Sequence, residues 1–183
     1  FITPAHILAA AEAAMRAGAT HYPASRGPPK LIEAIIGKLE RENGITAKAS
    51  QIIVTPGAKW ALYAALAAIL DPGDEVIIPA PYWVSYPEMV LLAGGEPVAV
   101  TTSFESGFKM KPEQLERAIT PKTKAIVPVH LYGQCADMIA IKKIADQHKL
   151  RLIEDNAQAI GAYGQGFKIA QLSDAATTSF IIQ

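Results

Sequence analysis

The sequence predicts an α/β domain of three layers with a mostly parallel sheet, and three observations carry that expectation. From Gln51 onward, short apolar runs alternate with longer stretches of helical periodicity. The runs are continuously apolar, as in strands covered on both faces by crossover helices. Turn-forming clusters such as Asp71-Pro72-Gly73-Asp74 separate them. Half of the 183 residues are hydrophobic, enough for a sizeable core.

The elements come in this order. Pro4 suits a first helical turn, Ile7, Leu8, Ala11, Ala14 and Met15 share one face, and Gly18 ends the helix. A turn-rich loop over 21–29 leads to a second helix that buries Leu31, Ile32, Ile35, Ile36 and Leu39 and stops at Gly44. Residues 1–50 thus form an N-terminal helical segment, and 51–183 a partial α/β domain. Within it, strands are expected at 52–54, 75–79, 97–100, 125–129, 150–153 and 175–182. Helices are expected over 58–70, through Val90 and Leu91, and over 112–119 and 138–148, with a surface loop at 101–111.

Composition excludes several classes. Basic and acidic residues balance at 17 each with no basic stripe, which argues against nucleic acid and anionic membrane as partners. Apolar runs are too short and too interrupted for a membrane-spanning helix. Cys135 is the only cysteine, so no internal disulfide forms, in keeping with a reducing, cytoplasmic setting. No signal-peptide pattern opens the chain, which begins at Phe1 and reads as an excised or truncated piece of a longer protein.

Ligands of open parallel sheets bind beyond the carboxyl ends of the strands, so residues just after each strand carry the information. Thr55-Pro56-Gly57-Ala58-Lys59 leads straight into a helix, whose N-terminus favours an anion; an ordinary tight turn is an equal reading. It matches neither a Walker loop nor a dinucleotide fingerprint. Tyr82, Trp83 and Tyr86 come after the second strand; Trp83 suits stacking on a flat ligand, while the tyrosines suit anchoring the next helix. Asp155 after the fifth strand holds a cation or protonated ring nitrogen, or simply caps a short helix after it. His130 reads as structural, and the histidines show no metal spacing. Lys59 and Lys168 are candidate anion partners, set against the fact that most single lysines are simply solvated.

Residues 1 to about 125 resemble class I aspartate/aromatic-type aminotransferases, fold-type I pyridoxal-phosphate enzymes. The resemblance rests on Gly18-Ala19-Thr20-His21-Tyr22, residues 54–59, residues 70–76 and above all Pro81-Tyr82-Trp83-Val84-Ser85-Tyr86-Pro87-Glu88-Met89. From Val127 on, residues 128–134, 154–162 and 173–180 are similar to the DegT/DnrJ/EryC1/StrS sugar aminotransferases. Both groups share the large-domain fold, so the chain resembles a chimera joined near Ile126. The resemblance implies that pyridoxal 5'-phosphate is held through the backbone amides of Gly57, Ala58 and Lys59. Trp83 would stack on the ring, Asp155 pair with its nitrogen, Gln158 lie beside it and Ser179 add a phosphate contact. It further implies a homodimer, with Tyr22 reaching the neighbouring subunit's phosphate, and a small-molecule amino donor and acceptor.

Three departures bear on activity. The class I Asn-Pro-x-Asn-Pro-Thr-Gly stretch is replaced by residues 130–134. The usual Leu-Arg is Leu31-Ile32. The resemblance places the lysine that attaches the cofactor in the sugar group about one residue beyond Gln183, and the smaller domain is likewise expected outside these residues. Three readings stay open: a cofactor-binding domain with impaired catalysis, an active transaminase completed by residues outside this chain, and a recombined scaffold with neither cofactor nor activity.

Overall fold

Five parallel strands form the centre of the protein, seen in a computed structural model that describes residues 2–179. They are β1 (Glu75–Ala80), β2 (Glu96–Thr101), β3 (Thr123–Ile126), β4 (Arg151–Asp155) and, after a small hairpin of β5 (Tyr163–Gly164) and β6 (Phe167–Lys168), β7 (Ala175–Thr177). Their spatial order is β2-β1-β3-β4-β7, every pair parallel. The helices are α1 (Ala5–Arg16), α2 (Pro29–Lys38), α3 (Ala58–Ala67), α4 (Ser85–Leu92), α5 (Pro112–Ala118) and α6 (Met138–His148).

Side chains alternate across a strand, so each buried strand feeds both faces. Val76, Ile78, Ala125, Val127 and Ile153 pack with Leu62, Leu66, Tyr86, Met89 and Val90 of α3 and α4. Ile77, Ile126 and Leu152 point the other way, onto Leu115, Met138, Ile144 and Ala145 of α5 and α6. Helices on both faces explain why these strands are apolar at nearly every position, and they make the three layers that the sequence predicts.

Four expectations change. Ile52–Val54 is extended but belongs to no strand: Val54 N–H donates to Arg26 O at 2.9 Å, and Ile53 is exposed. A strand needs a ladder partner, and among the described residues none lies beside it. The segment instead receives the 21–29 loop. Gly27 (φ 107°) comes so close that a Cβ there would meet Val54 at 2.7 Å. The final strand is short, ending at Thr177, and residues 180–182 of the predicted strand lie outside the described residues. The β5–β6 hairpin has no counterpart among the expected elements, because two-residue strands leave no periodic signal. Finally, α2 buries Ile32 alone, with Leu31 exposed, because little of the described chain covers that helix. After α2 the chain passes through a π-helical turn over Leu39–Asn43 and ends at Gly44 in the left-handed conformation.

Candidate functional site at the carboxyl ends of the strands

From β1 the chain winds to β2 on one side and then returns to place β3 on the other. Such a reversal opens a crevice between β1 and β3 at their carboxyl ends. A cavity of about 470 Å³ starts at this rim with Trp83 and Tyr86 and runs along Phe108, Leu115, Ala136 and Ile144 on the α5 and α6 side; Asp155, Gly57 and Lys59 do not line it. The Ala80–Pro81 peptide that opens this rim is cis.

A chain of side-chain contacts runs along the rim. Lys59 Nζ sits 4.5 Å from the centre of the Trp83 ring. Trp83 meets Tyr86 edge-on, with centroids 5.8 Å apart. The Tyr86 hydroxyl donates to Asp155 Oδ2 at 2.5 Å. Asp155 Oδ1 accepts from the Ala157 amide at 2.9 Å. Asp155 is therefore 5% exposed yet satisfied, and each oxygen retains a lone pair for another donor. Burial pushes the Tyr86 phenol well above its ordinary pKa, and the Asp155 charge adds to that, so Tyr86 keeps its proton and acts as donor.

Beside this chain, α3 begins at Ala58. Gly57 precedes it with φ 97° and ψ 162°, a conformation reserved for glycine, and nothing lies within 4 Å of where its Cβ would be. Its own amide donates to Thr55 O at 2.7 Å. The donors left for an anion are therefore the first-turn amides of Ala58, Lys59 and Trp60, which have no acceptor within the helix.

The remaining sequence-predicted residues are more scattered. Gln158 is exposed, and its Oε1 accepts from the Tyr132 amide at 3.2 Å. Ser179 is half-buried, two residues past β7. Tyr22 is fully exposed on the 21–29 loop, away from the Asp155 contacts. Asp155 caps no helix; one oxygen closes a turn onto Ala157 and the other meets Tyr86. Two features escape a reading of the sequence. Tyr86 suits anchoring there, yet its position three residues after Trp83 sets both on the rim. The buried pair of His130 and Glu154 gives no signal beyond two polar residues at strand ends.

A second cleft, of about 530 Å³, lies between α6 and residues 171–174 at the amino end of β4. Within it Arg151 pairs with Asp174 at 2.8 Å and Lys142 with Asp146, while Lys149 also lines it. Burial opposes ionisation of Asp174, but the Leu152 amide and Arg151 hold its carboxyl below the usual range. That cleft is at the opposite end of the sheet from Asp155, where parallel-sheet proteins rarely bind ligands.

The model of the DegT/DnrJ/EryC1/StrS aminotransferase family matches residues 36–182. The chain belongs to that family. Membership places it among the fold-type I pyridoxal-phosphate aminotransferases, and the parallel three-layer sheet agrees with their solved structures. An aspartate/prephenate aminotransferase of Cereibacter sphaeroides is 60% identical over 124 residues, 68% of this chain and 31% of that protein. An aspartate aminotransferase of Geobacillus stearothermophilus is 44% identical over 181 residues, 94% of this chain and 46% of that one. A Thermus thermophilus aspartate aminotransferase single mutant superposes with a TM-score of 0.80 at 45% identity, covering 85% of this chain and 42% of that one. The chain spans less than half the length of each of these three proteins. Among the described residues, no helix of this family member is long and apolar enough to cross a membrane.

Proposed function

We propose that the chain forms the pyridoxal-phosphate-binding domain of an aminotransferase acting on small amino and keto acids. The observation that carries this reading is the contact chain Lys59–Trp83–Tyr86–Asp155 beside the start of α3. The residues fit the cofactor chemically. The amides of Ala58, Lys59 and Trp60 offer donors for a phosphate, and Gly57 leaves the approach open. Trp83 offers an aromatic face, and Asp155 a buried acceptor for a protonated ring nitrogen. When bound, pyridoxal phosphate supplies the electron sink for amino transfer. Asp155 holds the ring nitrogen protonated and Tyr86 fixes Asp155. In the same reading Gln158 lies beside the ring and Ser179 adds a phosphate contact.

Within these residues the cofactor is held without a covalent bond. Lys59 is engaged with the Trp83 ring, and Lys168 Nζ donates to Glu42 O at 2.8 Å, on the α2 side of the molecule. Catalysis by these residues alone is correspondingly weak. The junction near Ile126 belongs to the same proposal, although the family match runs across it, from residue 36 to 182. A homodimer, with Tyr22 serving the partner's phosphate site, is supported by the full exposure of Tyr22 and by the uncovered apolar side chains of α1. Light scattering at micromolar concentration tests it; a clean monomer removes it.

The deciding experiment is titration with pyridoxal phosphate, monitored by absorbance, then borohydride trapping with peptide mapping. A saturable shift without a trapped lysine supports the proposal. A single trapped lysine, Lys59 or Lys168, replaces the non-covalent part of it. No saturable binding removes the cofactor-domain reading for these residues.

A further inference from the structure

The cavity of about 470 Å³ that starts at the rim is not used by the proposed cofactor contacts. It shares Trp83 and Tyr86 with them, but most of its wall belongs to the layer of α5 and α6. Leu115, Ile126 and Ile144 line it and are buried, and Phe108, Met110 and Ile141 add further apolar wall. A packed layer leaves few voids larger than a water molecule, so space of this size calls for an occupant. Ligand pockets commonly measure about 300–1,000 Å³, with mostly apolar walls and a few polar groups.

The charged residues of the lining are Lys109, Lys111 and Asp137. Asp137 is committed to α6 as its N-cap, where Oδ1 accepts from the Ala140 amide at 3.1 Å and the helix N-terminus offsets its charge. Lys109 and Lys111 are exposed and so border the mouth. Among the described residues neither is in an ion pair. Residues 107–112 form one continuous wall. Gly107 (φ 61°) and Phe108 (φ 56°) are both left-handed there. A bulky residue held in that conformation is strained, as recurs in ligand-binding loops. Cys135 also lines the cavity. Burial raises its thiol and the Glu154 charge raises it further, so Cys135 keeps its proton and adds to the apolar wall.

We propose that this cavity is a second ligand site, for a small amphipathic carboxylate whose apolar body lies among Leu115, Ile126 and Ile144 and whose anionic end meets Lys109 and Lys111. An apolar interior takes an uncharged body, and a mouth with two unpaired ammonium groups selects an anion over a cation. Asp155, Gly57 and Lys59 do not line the cavity, so the site does not depend on the cofactor reading.

The test uses Cys135, the only cysteine of the 183-residue chain, whose alkylation by N-ethylmaleimide is followed by mass spectrometry. No cofactor is added, so failure here leaves the pyridoxal phosphate titration standing. Phenylbutanoate is expected to slow alkylation saturably, and phenylpropylamine to need about tenfold higher concentration for the same protection. Lys109→Ala combined with Lys111→Ala should weaken protection by the carboxylate about tenfold and leave Tm unchanged, because both side chains are exposed. Alkylation indifferent to phenylbutanoate overturns the site, as does equal protection by the amine or protection that survives the double substitution. Calorimetric titration gives a second readout: heat of phenylbutanoate binding without protection of Cys135 places the ligand elsewhere and overturns the site. Alkylation that slows with protein concentration alone puts a second copy of the chain in the cavity and overturns it too.

Discussion

The carboxyl end of β4 and the N-terminal α1 are built from equally plain residues and end in opposite environments. At β4, Glu154, Asp155 and Asn156 are polar and buried; Tyr86 and the Ala157 amide satisfy Asp155, His130 and the Ala170 amide share one oxygen of Glu154, and the other oxygen and the Asn156 amide have no protein partner among the described residues. In α1, Ile7, Leu8 and Met15 are apolar and exposed, and no residue of the helix is buried. Burial of a polar group is costly wherever no partner satisfies it, and exposure of apolar groups persists where nothing covers them. The first region is where the proposed cofactor would be held; the second is what the proposed dimer would cover.

The largest effect expected from this contrast is in the core beneath the site. Leu66→Ala, in the layer of α3 and α4, should cost about 2–5 kcal/mol in chemical denaturation. Asp155→Ala comes next. It strands the buried Tyr86 hydroxyl, costs about 1–3 kcal/mol and abolishes any cofactor-induced absorbance shift. Unchanged cofactor binding in that variant would sink the proposed site.

Acid titration sharpens the comparison within the polar region. Glu154 is held below its ordinary 4.5 and Asp174 below its ordinary 3.8. Depressed folded values mean that the unfolded chain takes up protons first as pH falls. Their stabilisation is therefore complete above those ordinary values and lost as pH drops through the folded ones. Glu154→Gln should flatten its share of the acid limb in a melting-versus-pH series, and an unaltered limb would show that Glu154 is not held low.

The smallest effect is predicted for α1. Leu8→Ala should change monomer stability by no more than about 0.5 kcal/mol, as for an exposed side chain. A larger loss that grows with protein concentration would break the contrast, because it would place α1 in an interface.

Much of the architecture is legible in the residues alone. Apolar runs at 75–79, 97–100, 125–129 and 150–153 mark central strands because helices cover both faces. The run at 52–54 is chemically similar and is not a strand, since pairing needs a neighbour and composition cannot supply one. The same limit applies to the site. Asp155, Trp83 and Gly57 stand at the ends of readable elements, so position points to them. Tyr86 lies 69 residues from Asp155, and no local pattern announces that hydrogen bond.

Local pattern settles the layers, the periodicity of α3 to α6, and which residues stand just beyond the strands. These come from backbone stereochemistry and hydrophobic spacing, which act over a few residues. Long-range packing alone settles that Tyr86 fixes Asp155, that Lys59 covers Trp83, and that Glu154 is buried against His130. Those outcomes depend on distance and desolvation between segments far apart in the chain, and such interactions exist only once the chain has folded.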